Sequence, residues 1–189
     1  MDVDELDCRL SCWLAATDIQ LAGLSSNQLR MLVEIQVARC LAHAQRYWPT
    51  LPAPGVWCDV RGKSAGQAHL GRGGVRFNPV LLAEQPRQFI ESVVPHEMAH
   101  WIVFHTLTQR EPPHGRTWRY VMRALYGCEP HVTHRFDTKR ASPTPYRYGC
   151  RCREHQLSER RHRRVLRGGA YRCAHCRTRL SYLGCDRPA

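Results

Sequence analysis

The sequence predicts an α+β fold: a small antiparallel sheet packed with helices, followed by a small cysteine-rich module at the C-terminus. Three observations predict it. Short alternating apolar runs between residues 56 and 78 stand among segments whose apolar residues recur every three or four positions. One such segment, residues 93–104, contains His96-Glu97-Met98-Ala99-His100. Past residue 140, two cysteine pairs stand in a strongly basic stretch.

A length of 189 residues suggests one main domain and an appendage. The expected organisation is an extension of unknown role over 1–24, the main domain over 25–140 and the basic module over 141–189. No run approaches the ~18 uncharged apolar residues of a membrane span, so no membrane partner is expected. The acidic start, Met1 to Asp7, differs from a basic secretory signal. An intracellular location follows, nucleoid association being one form of it, with the ten cysteines reduced. Residues 138–189 hold 14 Lys/Arg against 3 Asp/Glu, which is +11 of the chain's +12. A basic tail on a near-neutral body reads as a docking surface for a polyanion.

In chain order, Trp13, Leu14, Leu21 and Leu24 suggest a short helix, weakened by Asp18 and Gly23. Ser25 and Gln28 have capping-box spacing. Leu29, Leu32, Val33, Val37, Cys40, Leu41 and Ala44 then mark an amphipathic helix that should pack on the segment carrying His96. Residues 56–61 alternate like a strand, and residues 67–70 and 75–78 suggest a hairpin around the Gly71–Gly74 turn. These glycines lack the order of a phosphate loop, and His69 is expected to sit on the sheet without ligating anything. A long helix should carry His96, bent at Pro95, which lacks the N–H that a helix uses there. A further helix over 116–125 should bury Trp118, Val121, Met122 and Leu125 and stop at Gly127.

At about 3.6 residues per turn, His96 and His100 project from one helical face. Two imidazoles so placed suit one Zn²⁺, and Glu97 lies close enough to accept a proton from metal-bound water. A catalytic zinc needs a third protein ligand. Val103 and Thr106 stand where the extended His-x-x-Gly-x-x-His pattern needs Gly and His, and His105 is rotated off the ligand face. Glu111 is a candidate. His114 is the best one, because it follows the Pro112-Pro113 break and precedes the next helix. His131 and His134 are weaker.

In the tail, Cys150-Arg151-Cys152 and Cys173-Ala174-His175-Cys176 offer four thiolates for a structural zinc, the pattern of a zinc ribbon; His155 or His162 is an alternative ligand. A module this small needs such a staple. Between the pairs lie Arg160, Arg161, Arg163, Arg164 and Arg167. With Tyr146, Tyr148, Tyr171 and Tyr182 nearby, they suit phosphate neutralisation and base stacking, so DNA or RNA is the expected partner.

The blocks VVPHEMAHWIVFHT, PPHGRTWRYVM and YGCRC…YRCAHC together resemble the SprT family of zinc metalloproteins, over about residues 28 to 183. Its eukaryotic relatives include the Spartan proteases, which cleave proteins crosslinked to DNA. The resemblance implies zincin-type helices, zinc held by His96, His100 and His114, and Glu97 as the catalytic residue. The implied function is a zinc metallopeptidase with one catalytic and one structural Zn²⁺, acting on protein substrates associated with nucleic acid. The rival is a zinc-stabilised DNA- or RNA-binding or regulatory protein with little proteolytic activity. A purely structural adaptor leaves Glu97 idle.

Overall fold

A computed structural model describes residues 18–109, 111–141 and 146–185. The chain divides into two compact units, Met1–Ala141 and Ser142–Ala189. The expected linker over 142–145, and Trp13 and Leu14, lie outside the described residues.

In the first unit, α1 (Asp18–Ala22) is a short helix whose Leu21 is fully buried in the core. The extension expected over 1–24 therefore contributes a core residue at its end. The long α2 (Ser26–Gln45) starts where capping predicts. Gln28 Oε1 accepts from the Ser25 backbone N–H at 2.9 Å, and Ser25 Oγ accepts from the Gln28 N–H at 3.4 Å. Its buried face includes Leu29, Leu32, Val33, Val37, Cys40 and Ala44, and it packs on the helix that carries His96. Each fully buried Leu or Val contributes about 1.5–3 kcal/mol relative to exposure.

The sheet differs from the expectation in two respects: the strand expected over 56–61 is confined to Gly55–Trp57, and one pairing is parallel. Strands β1 (Gly55–Trp57), β2 (Gly66–His69) and β3 (Gly74–Phe77) lie in the order β1-β3-β2. The β2–β3 pair is the antiparallel hairpin that its turn demands, but β1 pairs with β3 in parallel. The reason is the path of the chain: it leaves β1, crosses to the far side, and returns through β3 down the middle. Gly55 and Gly74 face each other, and a Cβ on Gly74 would sit 2.1 Å from the Gly55 carbonyl oxygen. Only glycine permits that approach. The strand β2 is left on an edge. His69 acts locally, its Nδ1 accepting from the Arg72 N–H at 3.1 Å.

Buried Asn78 joins the sheet to the next helix. Its Nδ2 donates to the carbonyls of Gly62 and Ser64, while its Oδ1 caps α3 (Pro79–Glu84). After α4 (Pro86–Gln88) comes a π-helical turn, Phe89–Val93, running directly into α5 (Val94–Thr106). The bend expected at Pro95 is taken up by this wider turn. The Glu91 carbonyl, the α-helical partner that Pro95 cannot bond, accepts instead from the Cys128 thiol at 3.5 Å. The helix expected over 116–125 is α-helical only as α6 (Arg116–Tyr120) and finishes as a π turn, Val121–Leu125. Trp118, Val121 and Met122 are buried, and Gly127 ends the segment with φ +63°.

The second unit holds β4 (Tyr146–Gly149), β5 (Glu154–Leu157), α7 (Glu159–Leu166) and β6 (Ser181–Cys185). Its sheet is antiparallel in the order β5-β4-β6. No helix among the described residues is long and apolar enough to cross a membrane.

Candidate metal centre and cleft

Helix α5 places His96 and His100 one turn apart, and the loop before α6 brings His114 to the same point. The three Nε2 atoms are mutually 3.2 Å apart. Tetrahedral Zn–N bonds of about 2.0–2.1 Å require N···N separations of about 3.3 Å, so the donor set fits zinc. Beneath the three rings lies Trp118, with ring centroids 4.6–5.5 Å away. Its indole N–H donates to the His96 carbonyl at 3.3 Å, which ties α6 to the helix of the motif. The His131 backbone lies against the His96 imidazole and acts against the effect of burial on it, an outer contact of the kind that orients a ligating imidazole. Burial pushes His96 down to about 4 and His100 to about 3, and lowers His114. All three are therefore neutral near pH 7, as metal ligands must be.

Glu97 is 6% exposed and points toward β2 rather than joining the imidazoles. Burial pushes its carboxyl up to about 8, opposed by a hydrogen bond from the Ala68 backbone. A cation on the imidazoles would pull it down again. A Cβ on Gly66 would lie 2.7 Å from Glu97 Oε1, so the edge strand approaches the carboxylate as closely as backbone allows. Neither Gly66 nor Ala68 is recognisable as a site residue in sequence, because the contact is made by backbone.

Glu111, the other candidate for the third ligand, has a different role. Its carboxylate accepts from the Thr117 N–H at 3.0 Å and from Thr117 Oγ1 at 2.9 Å, capping α6. Arg119 Nε donates to the His114 carbonyl at 3.1 Å. These bonds close the loop on which His114 is mounted. Glu111→Ala should therefore weaken zinc binding about 10- to 100-fold, read by chelator competition, with Glu111→Gln retaining most of it. Unchanged affinity in the alanine variant would remove the cap from any role in placing His114.

The imidazoles of His105, His131 and His134 are not among the three that meet, although His131 and His134 line the same cavity. His105 packs on Trp101 with ring centroids 4.3 Å apart. His134 contacts the Lys63 carbonyl through Nε2 at 2.9 Å. The centre opens into a cavity of about 1100 Å³ whose lining includes His96, Glu97, His100, His114 and edge strand β2.

In the second unit the ligand atoms of Cys150, Cys152, Cys173 and Cys176 all lie within 4.8 Å of one another. The Cys150–Cys152 and Cys152–Cys173 sulfur separations are 3.4 and 3.7 Å, near the ~3.8 Å implied by Zn–S bonds of about 2.3 Å. Backbone N–H groups of Cys176 and His175 pull the Cys173 thiol down to about 5. His155 Nε2 stands 3.3 Å from Cys150 Sγ, beside the four thiols. The alternative ligand His162 is excluded by its position. It is buried, stacked on Tyr146 at 3.8 Å, with Nδ1 2.8 Å from the Tyr148 hydroxyl. Tyr146 also bonds Glu159 through its hydroxyl.

Arg160, Arg161, Arg163, Arg164 and Arg167 are all exposed on and just after α7. Arg163 pairs with Glu159 at 2.8 Å, and Arg161 and Arg164 each lie 5.9 Å from the Tyr171 ring. The expectation that four tyrosines stand beside them for stacking fails for two: Tyr146 and Tyr148 are 7% and 0% exposed and form the module's core. A module so short has few other large apolar side chains to bury.

A family model described as SprT-like matches residues 38–134. The chain is 40% identical over 147 residues to Protein SprT of Vibrio parahaemolyticus, covering 77% of this chain and 88% of that one. It is 45% identical over 130 residues to Protein SprT of Escherichia coli O157:H7, covering 68% and 78%. For Protein SprT of Klebsiella pneumoniae strain 342 the figures are 47% over 124 residues, 65% and 74%. No solved structure matches the chain. The stretch matched by the family model contains His96, Glu97, His100 and His114, and on these similarities the chain belongs to the SprT-like family.

Proposed function

We propose that the protein is a zinc metallopeptidase that hydrolyses peptide bonds in proteins associated with nucleic acid. Membership of the SprT-like family supports this reading. The observation that carries it is the meeting of three neutral imidazoles, 3.2 Å apart, beside a buried carboxylate that none of them uses. Zn²⁺ held there supplies Lewis acidity, acidifying a water and polarising the scissile carbonyl. Glu97 accepts the proton of the attacking water on a carboxylate oxygen and delivers it to the departing amine. Gly66 and the Ala68 N–H hold that carboxylate against β2, and Trp118 keeps the imidazoles in place from below. Strand β2, an edge strand of its sheet among the described residues, lines the cleft and suits an extended substrate strand added alongside it. The four thiolates of the second unit suit a closed structural zinc.

The exposed arginines of α7 supply a surface for a phosphate backbone. If all five each neutralise one phosphate of duplex DNA, log K should fall against log salt with a slope of about −4.5. A flat salt dependence would remove nucleic acid as the partner of this surface. The function itself is tested by cleavage of a DNA-bound protein, with zinc-loaded and chelator-treated enzyme, with and without DNA. Cleavage confined to the zinc-loaded arms is expected. No cleavage in any arm, with salt-dependent DNA binding intact, would leave a nucleic-acid-binding protein instead.

A further inference from the structure

One face of α5 is only partly accounted for by packing: Val103 packs against the core, but Phe104 beside it is exposed. Counting from His100, Val103 and Phe104 fall at three and four positions, the spacing of a single helical stripe, and Leu107 follows at the extended C-cap of α5. Such a stripe ordinarily faces a core. Here the core is served by the neighbouring face, where Trp101 and Ile102 are 3% and 0% exposed. The His100 stripe also turns into the cleft: half-buried Val103, Phe104 and the cap residue Leu107 line the same cavity as the metal-site residues, and Phe104 is 53% exposed. Leu70, just past the edge strand, lines it as well and is 37% exposed.

The cavity is also unequal at its two ends. Past His100 its apolar lining is Val103 and Phe104 on α5 and Leu107 at the extended C-cap, ahead of the polar Thr108 and Gln109. Ahead of His96 the helix-borne lining is Gln88, Ser92 and the buried Val93, with Glu129, His134 and Arg135 among the loop residues of the lining. A concave site with an apolar wall next to convergent polar groups is built to take an apolar group in a fixed position.

We propose that the Val103–Phe104–Leu107 wall is a specificity subsite that receives one large apolar side chain, leucine or aromatic, of the substrate polypeptide on one side of the scissile bond. The proposal rests on the peptidase reading, since it is the position of the wall beside His100 that makes a substrate side chain its occupant. Folded substrates bury such side chains, so the subsite also favours locally unfolded chain as the substrate.

The test uses the full-length zinc-loaded protein and quenched fluorescent peptides of glycine and serine, each with one position changed to Ser, Leu or Phe. The best Leu or Phe peptide should show kcat/KM at least about tenfold above its all-Gly/Ser parent, at one position only. Phe104→Ser should cut that ratio to about threefold or less, while Phe104→Leu should preserve it. The side chain is half-exposed, so neither change opens a core cavity. A ratio near one in the unaltered protein, or one undiminished by Phe104→Ser, overturns the subsite. Anisotropy of the same peptides on zinc-loaded Glu97→Gln separates this from failure of the peptidase reading. Tighter binding of the apolar peptides without turnover by the unaltered protein would refute the peptidase and keep the subsite. Equal binding, or none, refutes the subsite.

Discussion

Replacing Glu97 by Gln should lower kcat by about a thousandfold while zinc remains bound. The magnitude is that of removing a positioned general base. Metal retention follows from the geometry, because the three Nε2 atoms meet without any contribution from Glu97. Gln matches Glu in shape, so the cradle formed by Gly66 and the Ala68 N–H is still filled. Alanine would be a poorer choice, since it leaves a hole against β2 in a position that is 6% exposed. The checks are steady-state cleavage of an unfolded polypeptide together with zinc content after dialysis. Turnover within tenfold of the unaltered enzyme would show that Glu97 is not the base. Loss of zinc together with activity would make it part of the metal site instead.

Replacing Cys173 by Ser should unfold the second unit. Among the described residues its core is Tyr146, Tyr148, Leu157, Cys173 and Leu180, with a few partly buried neighbours. A structural zinc in such a small module supplies apparent free energy of about 10–16 kcal/mol near neutral pH, most of what keeps it folded. Cys173 is 1% exposed, and its sulfur accepts the backbone N–H groups of the Cys173–Cys176 turn. A serine hydroxyl is a poor zinc ligand and cannot reproduce the thiolate. Zinc content should fall from two ions to one, and limited proteolysis should cut first within residues 146–185. The first unit, which has its own core, should keep its own thermal transition. A folded module with one zinc missing would show that the staple is dispensable. Nucleic-acid binding should be lost with the module, since the arginines of α7 would no longer be held on one surface.

Much of the local structure was legible in sequence because its causes are local. Ser25 and Gln28 are three residues apart, and their reciprocal cap needs nothing else. Apolar spacing marked the buried face of α2, and the alternation and turn glycines marked the β2–β3 hairpin. The parallel pairing of β1 was not legible, because it depends on the route of the chain between strands and not on either strand's residues. Nor were the two π turns. Pro95 announced a disturbance, but a bend and a widened turn both accommodate a missing N–H, and the choice falls to packing around Phe89, Ile90 and Val93.

At the site the division is the same. The spacing of His96, Glu97 and His100 on one helix and of the cysteines in two close pairs was enough, by itself, to name those residues and the metal chemistry they suit. Tertiary structure alone separated Glu111 from His114, making one carboxylate a helix cap and bringing one imidazole to the other two. It alone drew His162 away from the thiols into a tyrosine stack, and brought the backbone of Gly66 and Ala68 against Glu97. The physical reason is range: a helical turn or a tight loop sets distances within a few residues, whereas which donors converge across long stretches of chain depends on how the whole core closes around them.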